Sequence, residues 1–246
     1  MLMLWELVWF ILIVLIGGFI QGASGFGFGL VAMGFLPLML SLKESTLIVI
    51  ALLLVASLSI ILKVYKYIEL KALFVIIGSA LIGRIISFVV LITYGELEAL
   101  KQFLGFFLLG MVIYLFLNKK KNPSKIAMKP LIPITLGFLG GFIGGVFAVG
   151  GPFFVFYFLM LYEEKHKYNA NLQVTVVITS SFTLLLHGVN GDFSSTFYLY
   201  FLIGVVGVFI GTMLGLKWFE KLPSNLIKKF AMVMVTIAAI NLILFS

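Results

Sequence analysis

A glycine-rich phrase occurs twice, and its spacing divides the chain in half. Gly17-Gly18-Phe19-Ile20-Gln21-Gly22-Ala23-Ser24-Gly25-Phe26-Gly27 is answered by Gly140-Gly141-Phe142-Ile143-Gly144-Gly145-Val146-Phe147-Ala148-Val149-Gly150, at a shift of 123 in a chain of 246 residues. The register holds through Gly27 and Gly150, after which the copies read Phe28-Gly29 and Gly151-Pro152. A fixed internal period constrains the fold strongly, because both halves must build the same unit. Each copy interrupts an apolar run with glycines. Paired interruptions in corresponding halves point to the binding site of a transporter.

The runs around these phrases are long and nearly free of charge. Hydrophobic residues make up 63% of the chain and charged residues 11%, where a soluble domain carries roughly 25%. The chain is therefore expected to be an all-α polytopic membrane protein. Barrel strands would leave short alternating segments instead of solid apolar ones. Glu6 and the lack of lysine or arginine in the first ten residues predict no cleavable signal. With no cysteine, disulfide and thiolate chemistry are excluded.

The apolar runs fall near 2–20, 28–42, 47–62, 72–93, 99–117, 130–149, 152–162, 170–187, 196–216 and 230–245. A crossing takes about 20 residues. The 152–162 run is too short for that and reads as half of a broken or re-entrant pair with 130–149. By the repeat, 2–20 and 28–42 form the matching pair. Fourteen lysines cluster in four loops: Lys63, Lys66 and Lys71; Lys119, Lys120, Lys121, Lys125 and Lys129; Lys165 and Lys167; Lys217, Lys221, Lys228 and Lys229. The opposite loops hold only Lys43 and Lys101. Positive loops stay in the cytoplasm, so the four clusters are expected inside and both termini outside. The net charge of +8 is thus a topology signal, and no nucleic-acid partner is expected.

Five membrane segments per half, an odd number, turn the second copy upside down relative to the first. The expected layout is an inverted-topology repeat: a first membrane repeat at 1–118, a basic cytoplasmic linker at 119–129, and a second, inverted repeat at 130–246. Gly78-Ser79-Ala80-Leu81-Ile82-Gly83-Arg84 and Gly207-Val208-Phe209-Ile210-Gly211-Thr212 are expected to let helices approach closely.

These features together resemble the sulfite exporter TauE/SafE family over nearly the whole chain. The resemblance rests on an early G-x-x-G-x-G cluster followed by proline (Gly22, Gly25, Gly27, Pro37) and on its second-half partner (Gly145, Gly150, Gly151, Pro152). It rests also on the packing phrase in each half, on the basic turn Lys217-Trp218-Phe219-Glu220-Lys221-Leu222-Pro223, and on the two-half length. The family implies a carrier in the cytoplasmic (inner) membrane of a prokaryote, moving sulfite, sulfoacetate or related organosulfonates.

The residues suit that chemistry. A dehydrated anion needs donors, and a half-helix start offers backbone N–H groups and the positive end of a dipole. Gly22, Gly25 and Gly27 in one half, and Gly145, Gly150, Gly151 and Pro152 in the other, are therefore candidate substrate-binding residues. Gln21 and Ser24 add an amide and a hydroxyl; Gly144 and Phe147 replace them in the second copy, so the site is expected to be asymmetric. Arg84, the only arginine, sits thirteenth in its apolar run, with no acid inside any central span. A charge there marks a pathway or a partner, and a guanidinium fits sulfonate oxygens. Gln173 and Ser180 share a helical face and are candidates to line the path, with helix–helix hydrogen bonding as the other reading. His187 is a candidate to carry a coupled proton, or else an outer-interface residue.

Three rival classes remain. A purely structural membrane subunit would leave the repeat unexplained. An anion channel would use the same helix ends and glycines. A rhomboid-like intramembrane serine protease would use Ser24 of Gly22-Ala23-Ser24-Gly25 with His187 as base. Only one apolar run precedes Ser24, and the repeat puts Phe147 in its place, so no enzyme is expected. No G-x-x-x-x-G-K-[ST] motif is present, so ATP is not expected to drive transport, and no cofactor or metal is expected. The expected partners are a small anion, the bilayer, and a proton or other coupling ion.

Overall fold

The computed structural model describes residues 4–117, 131–219 and 221, with six further helical residues between 233 and 244. The linker 119–129, Lys228 and Lys229 lie outside the described residues, as does most of the 230–245 run. The described residues include nine α-helices, two short 3-10 helices (Leu36–Leu38 and Tyr65–Tyr67) and no strand. The α-helices are α1 (Leu4–Ser24), α2 (Phe28–Phe35), α3 (Leu42–Val64), α4 (Leu70–Tyr94), α5 (Glu98–Leu117), α6 (Leu131–Phe147), α7 (Gly151–Leu161), α8 (Lys165–Val189) and α9 (Ser195–Trp218). Five of them, α1, α3, α4, α8 and α9, are long and apolar enough to cross a membrane. Large apolar side chains such as Leu62, Phe74, Leu202 and Val206 stand exposed on the outside. A surface of that kind fits lipid and not water. The protein is a multi-pass membrane protein.

Two helices run longer than their apolar runs. The 2–20 run ends early because Gln21 and Ser24 look like loop residues, yet α1 continues through Ser24. Glycines Gly18 and Gly22 are tolerated inside it because α9 lies against them. The 170–187 run likewise begins at Lys165, because Asn169 and Asn171 spend their side chains on neighbouring groups and leave the helix intact. Serine caps fix two other starts. Ser41 Oγ accepts from Glu44 N at 3.2 Å, and Ser194 Oγ accepts from Phe197 N at 3.1 Å while donating to Glu44 Oε1.

Glycine seams hold the helices together. In one, α1 and α9 run side by side in the same direction. A Cβ on Gly22 would strike Thr212 O, and one on Gly215 would strike Phe19 O. In the other, α4 runs beside α6, with Gly137 against Ser79, Gly141 against Ala80 O and Gly145 against Ser87 Oγ. Backbones this close replace hydrophobic driving force, which lipid does not supply, by van der Waals contact. The sequence reading placed Gly78 in this packing. It faces open space instead, and Ser79, Ala80 and Gly83 make the contact.

The loops gather at two ends. At one, Lys43 pairs with Asp192 at 2.7 Å, and Glu6, Ser41, Glu44, Lys101 and Thr196 lie around one hollow. At the other, Glu69 meets Lys167 and Tyr162, Asn171 holds the chain at Tyr67 and Glu69, and Lys165 reaches Phe219 O. Lys63, Lys66, Lys71 and Lys217 flank that second end.

Candidate functional site

The first glycine phrase is a break between α1 and α2. Gly25 (φ 83°) and Gly27 (φ 112°) take left-handed conformations that a side chain would strain. Gln21 stitches the break: its Oε1 accepts from Phe28 N at 3.2 Å, and its Nε2 lies 3.2 Å from Gly25 O. From α8, Gln173 Nε2 donates to Gly25 O at 2.7 Å and to Asn169 Oδ1 at 2.8 Å. Gln21 Nε2 also reaches Gln173 Oε1 at 3.3 Å, joining the two halves. Ser24 Oγ lies 2.8 Å from Ile20 O and 2.6 Å from Phe26 O, so its proton serves the backbone of the break.

The second phrase is a break between α6 and α7. Here Ala148, at φ 54°, is the one non-glycine residue with positive φ among the described residues. It stands at the repeat interval from Gly25, so the two copies share a left-handed turn that the sequence spells differently. Gly144, the counterpart of Gln21, has no side chain of its own. Arg84 reaches in from α4 to serve it: Nη1 donates to Gly144 O at 2.7 Å and to Thr183 Oγ1 at 3.2 Å. A Cβ on Gly144 would sit 2.8 Å from Arg84 Nη2, so the guanidinium fills the space that a Gln21 equivalent would need. Arg84 is only 3% exposed, and its Nε has no hydrogen-bond partner. No carboxylate pairs with it among the described residues.

The two breaks meet. A Cβ on Gly29 would strike Ala148 O, so here backbone touches backbone. Beside the contact is a cavity of about 20 Å³, lined by Gln21, Gly25, Gly27, Gly151, Pro152 and apolar neighbours. That is room for a water and too little for a sulfur oxyanion.

The sulfite exporter TauE/SafE family model matches residues 10–242 of the chain. The protein belongs to the TauE/SafE family. It is thus a member of a membrane transporter family, with a small anion as substrate and lipid as surroundings. No curated protein and no solved structure matches the chain.

In this TauE/SafE protein, five of the residues picked from sequence (Gln21, Gly25, Gly27, Gly151 and Pro152) line the cavity at the two breaks. Gln173 is bonded into its wall. Gly150 packs behind it, its Cα side closed by Gly140 O and Gly144. Gly22 and Gly145 lie instead in the α1–α9 and α4–α6 seams. Ser180 is fully buried and its Oγ has no partner. Four residues of the site were not singled out in the sequence: Gly29, Ala148, Asn169 and Thr183. Asn169 and Thr183 could have been found by extending the Gln173–Ser180 face along α8 in steps of three or four residues, through 169, 173, 176, 180 and 183.

Gln173→Leu is expected to leave Gly25 O and Asn169 short of a donor in a buried place. The expected loss is about 1–3 kcal/mol of stability, read as a lower melting temperature in detergent. An unchanged melting temperature would mean that Gln173 ties nothing.

His187 stands away from this cavity. It is fully buried, its Nδ1 lies 2.6 Å from Asp192 Oδ2, and its ring meets Phe88 of α4 edge-on. Ser24 and His187 share no hydrogen bond, so the contact that a serine nucleophile needs from its base is not made. Burial works against the Asp192 charge, but donation from Lys43, His187 and Asn190 outweighs it and holds the carboxyl below its ordinary range. A lowered folded value means stability that is present above the unfolded pKa and lost as pH falls through the folded one. Asp192→Asn is therefore expected to lower the melting temperature evenly between pH 5 and 8. The gap should close only below about pH 4. A gap that closed at neutral pH would contradict this ion pair.

Proposed function

We propose that this protein is a secondary transporter of small sulfur-containing anions, of the sulfite or organosulfonate type, working by alternating access. The observation that carries the reading is the meeting of the two glycine breaks, Gly29 against Ala148, beside a small cavity between the halves. Each break brings a helix start, α2 or α7, to the same place. A helix start carries the positive end of a dipole and is suited to an anion. A cavity of about 20 Å³ is too narrow for a standing pore, which favours a carrier over a channel.

The halves are read as inverted repeats, 1–118 and 130–246 around the linker 119–129. Their contacts support this by exchange: α1 lies on α9, and α4 lies on α6. The chain leaving α2 returns to the Glu6 end, and the chain leaving α7 returns to the Glu69 end, where Tyr162 donates to Glu69. Rocking of one half against the other would open the cavity to each side in turn. The lysine-rich end is read as cytoplasmic, both termini as outside, and the membrane as the inner membrane of a prokaryote. The candidate substrate ligands are Gln21, Gly25, Gly27, Gly150, Gly151, Pro152, Gln173 and Ser180, with Arg84 behind the second break. His187 is the candidate for proton coupling.

The test is uptake into proteoliposomes by the purified protein. The panel is sulfite, thiosulfate, sulfoacetate, taurine, sulfate and acetate, with and without a pH gradient. Saturable, counterflow-competent uptake of a sulfur anion is expected. Absence of flux for every anion, with the protein correctly inserted, would overturn the reading. Non-saturating flux without counterflow would favour a channel.

A further inference from the structure

Two lysines stand at the unfavourable ends of their helices. Lys43 is in the first turn of α3 and Lys167 in the first turn of α8. A helix start carries the positive end of the dipole, so a cation there is opposed by its own helix. Each lysine is met instead by a carboxylate from the other half of the chain. Lys43 pairs with Asp192 at 2.7 Å, and Lys167 pairs with Glu69 at 2.8 Å.

The repeat relates the two pairs. Glu69 and Asp192 stand at the same place in the two copies, 123 residues apart, in the segments that precede α4 and α9. The helices α3 and α8 begin at the same interval, at Leu42 and Lys165. Each pair therefore ties the start of one half's third helix to the segment before the other half's fourth. The pairs lie at opposite ends of the molecule. The cavity lies between them, against Leu53 of α3 and Leu172 and Val176 of α8. A second bond between the halves stands beside each pair. Ser194 Oγ donates to Glu44 Oε1 at 2.8 Å at one end, and Tyr162 Oη donates to Glu69 Oε2 at 3.1 Å at the other. With both ends tied, the space between is about 20 Å³, too small for a sulfur oxyanion. One end must part to admit it.

We propose that these pairs are the two gates of transport, Lys43–Asp192 at one face of the membrane and Lys167–Glu69 at the other, parted in turn. The inference rests on the transport reading above and adds the groups that control access to its site. The gates are unequal. The side chains of Lys167 and Glu69 are 40% and 44% exposed, against 22% and 7% for Lys43 and Asp192. Asp192 is held further by His187 Nδ1 at 2.6 Å and Asn190 Nδ2 at 3.0 Å. An exposed pair contributes little and is screened by salt, whereas parting a buried one strands a charge. The Glu69 gate is the one that opens more often at rest.

The experiment uses the full chain with Val149→Cys, a single thiol in the cavity wall. A membrane-impermeant maleimide is applied to right-side-out and to inside-out vesicles. Glu69→Gln is expected to speed labelling roughly threefold, from one side only. Lys43→Gln is expected to speed it roughly tenfold, from the opposite side only. With both pairs intact, labelling should be faster from the side that Glu69→Gln favours. Glu69→Lys alone sets two cations together and should also label faster from that side. Adding Lys167→Glu restores a pair of opposite charges and should recover much of the slow labelling. Melting temperature checks that each variant folds, and uptake of sulfur anions by the wild-type protein is measured in parallel.

Labelling that rises from the same side in Glu69→Gln and Lys43→Gln, or in neither, would overturn the gates and leave a carrier standing if the wild-type protein takes up a sulfur anion. So would an exchanged pair that labels like Glu69→Lys alone. No saturable uptake of any sulfur anion by the wild-type protein would overturn the transport reading, and the gates with it.

Discussion

Leucine at Gly27 or at Gly150 is expected to stop transport in a protein that still folds and inserts. The two positions fail for different reasons. Gly27 is left-handed at φ 112°, where a side chain costs on the order of 1–3 kcal/mol, and its Cβ would sit 2.8 Å from Ile20 Cγ2. Ile20 can turn aside, so the cost falls on the break more than on the fold. Gly150 has ordinary backbone angles, but its Cβ would run into Gly140 O and lie 3.0 Å from Gly144 Cα. Overpacking of that kind costs about 1–3 kcal/mol. The Gly150 clash lies within the α6–α7 break and not between two long helices, so it distorts the break without parting a seam, and a membrane domain with about 5–15 kcal/mol in hand survives either change. The cavity does not, since at about 20 Å³ it has no room to lose. Uptake is expected to drop by roughly a hundredfold or more, the cost of about 2.7 kcal/mol at the step that opens the path. Gel filtration should show normal protein. Full uptake in both variants would remove the breaks from the path.

Leucine at Gly22 or Gly145 is expected to do the opposite: little folded protein survives to be assayed. The Gly22 Cβ would meet Thr212 O and Leu216 N, which are backbone and cannot rotate away. The Gly145 Cβ would meet Ser87 Oγ and Cβ on the facing helix. Helices must separate to admit the side chain, and in lipid the close contact is most of what holds them. Gly78→Leu is the control, because nothing lies within 4 Å of its Cβ. The expected result is normal yield for Gly78→Leu and a loss of most folded material for the seam variants, measured by fluorescence-detected gel filtration. Equal yields for all three would refute the seams.

This contrast explains what the sequence could tell. The all-helical character and the two breaks were legible because a membrane chain writes them in hydropathy and glycine. The division of labour among the glycines was not. Gly22 and Gly25 are three residues apart in one motif, yet one lies against α9 and the other turns the chain. A missing Cβ serves close approach and positive φ alike, and only the neighbour tells which. Ala148 was hidden for the converse reason. It adopts the left-handed turn of Gly25 with a methyl group, at the point where its carbonyl packs on Gly29. Arg84 stood out as a lone charge, but that it takes the place of a Gln21 side chain at Gly144 follows only from the packing of α4 on α6.

The crossing of the two breaks can be tested directly because the chain contains no cysteine. Val149→Cys puts a single thiol in the cavity wall. Its labelling by a maleimide in proteoliposomes would be followed with and without methanesulfonate, which does not react with thiols. Labelling that methanesulfonate slows in a saturable way, with half-protection near its transport KM, is the expected result. Labelling that proceeds at the same rate at every methanesulfonate concentration, in protein that carries the anion, would put the path elsewhere and contradict a site between the two breaks.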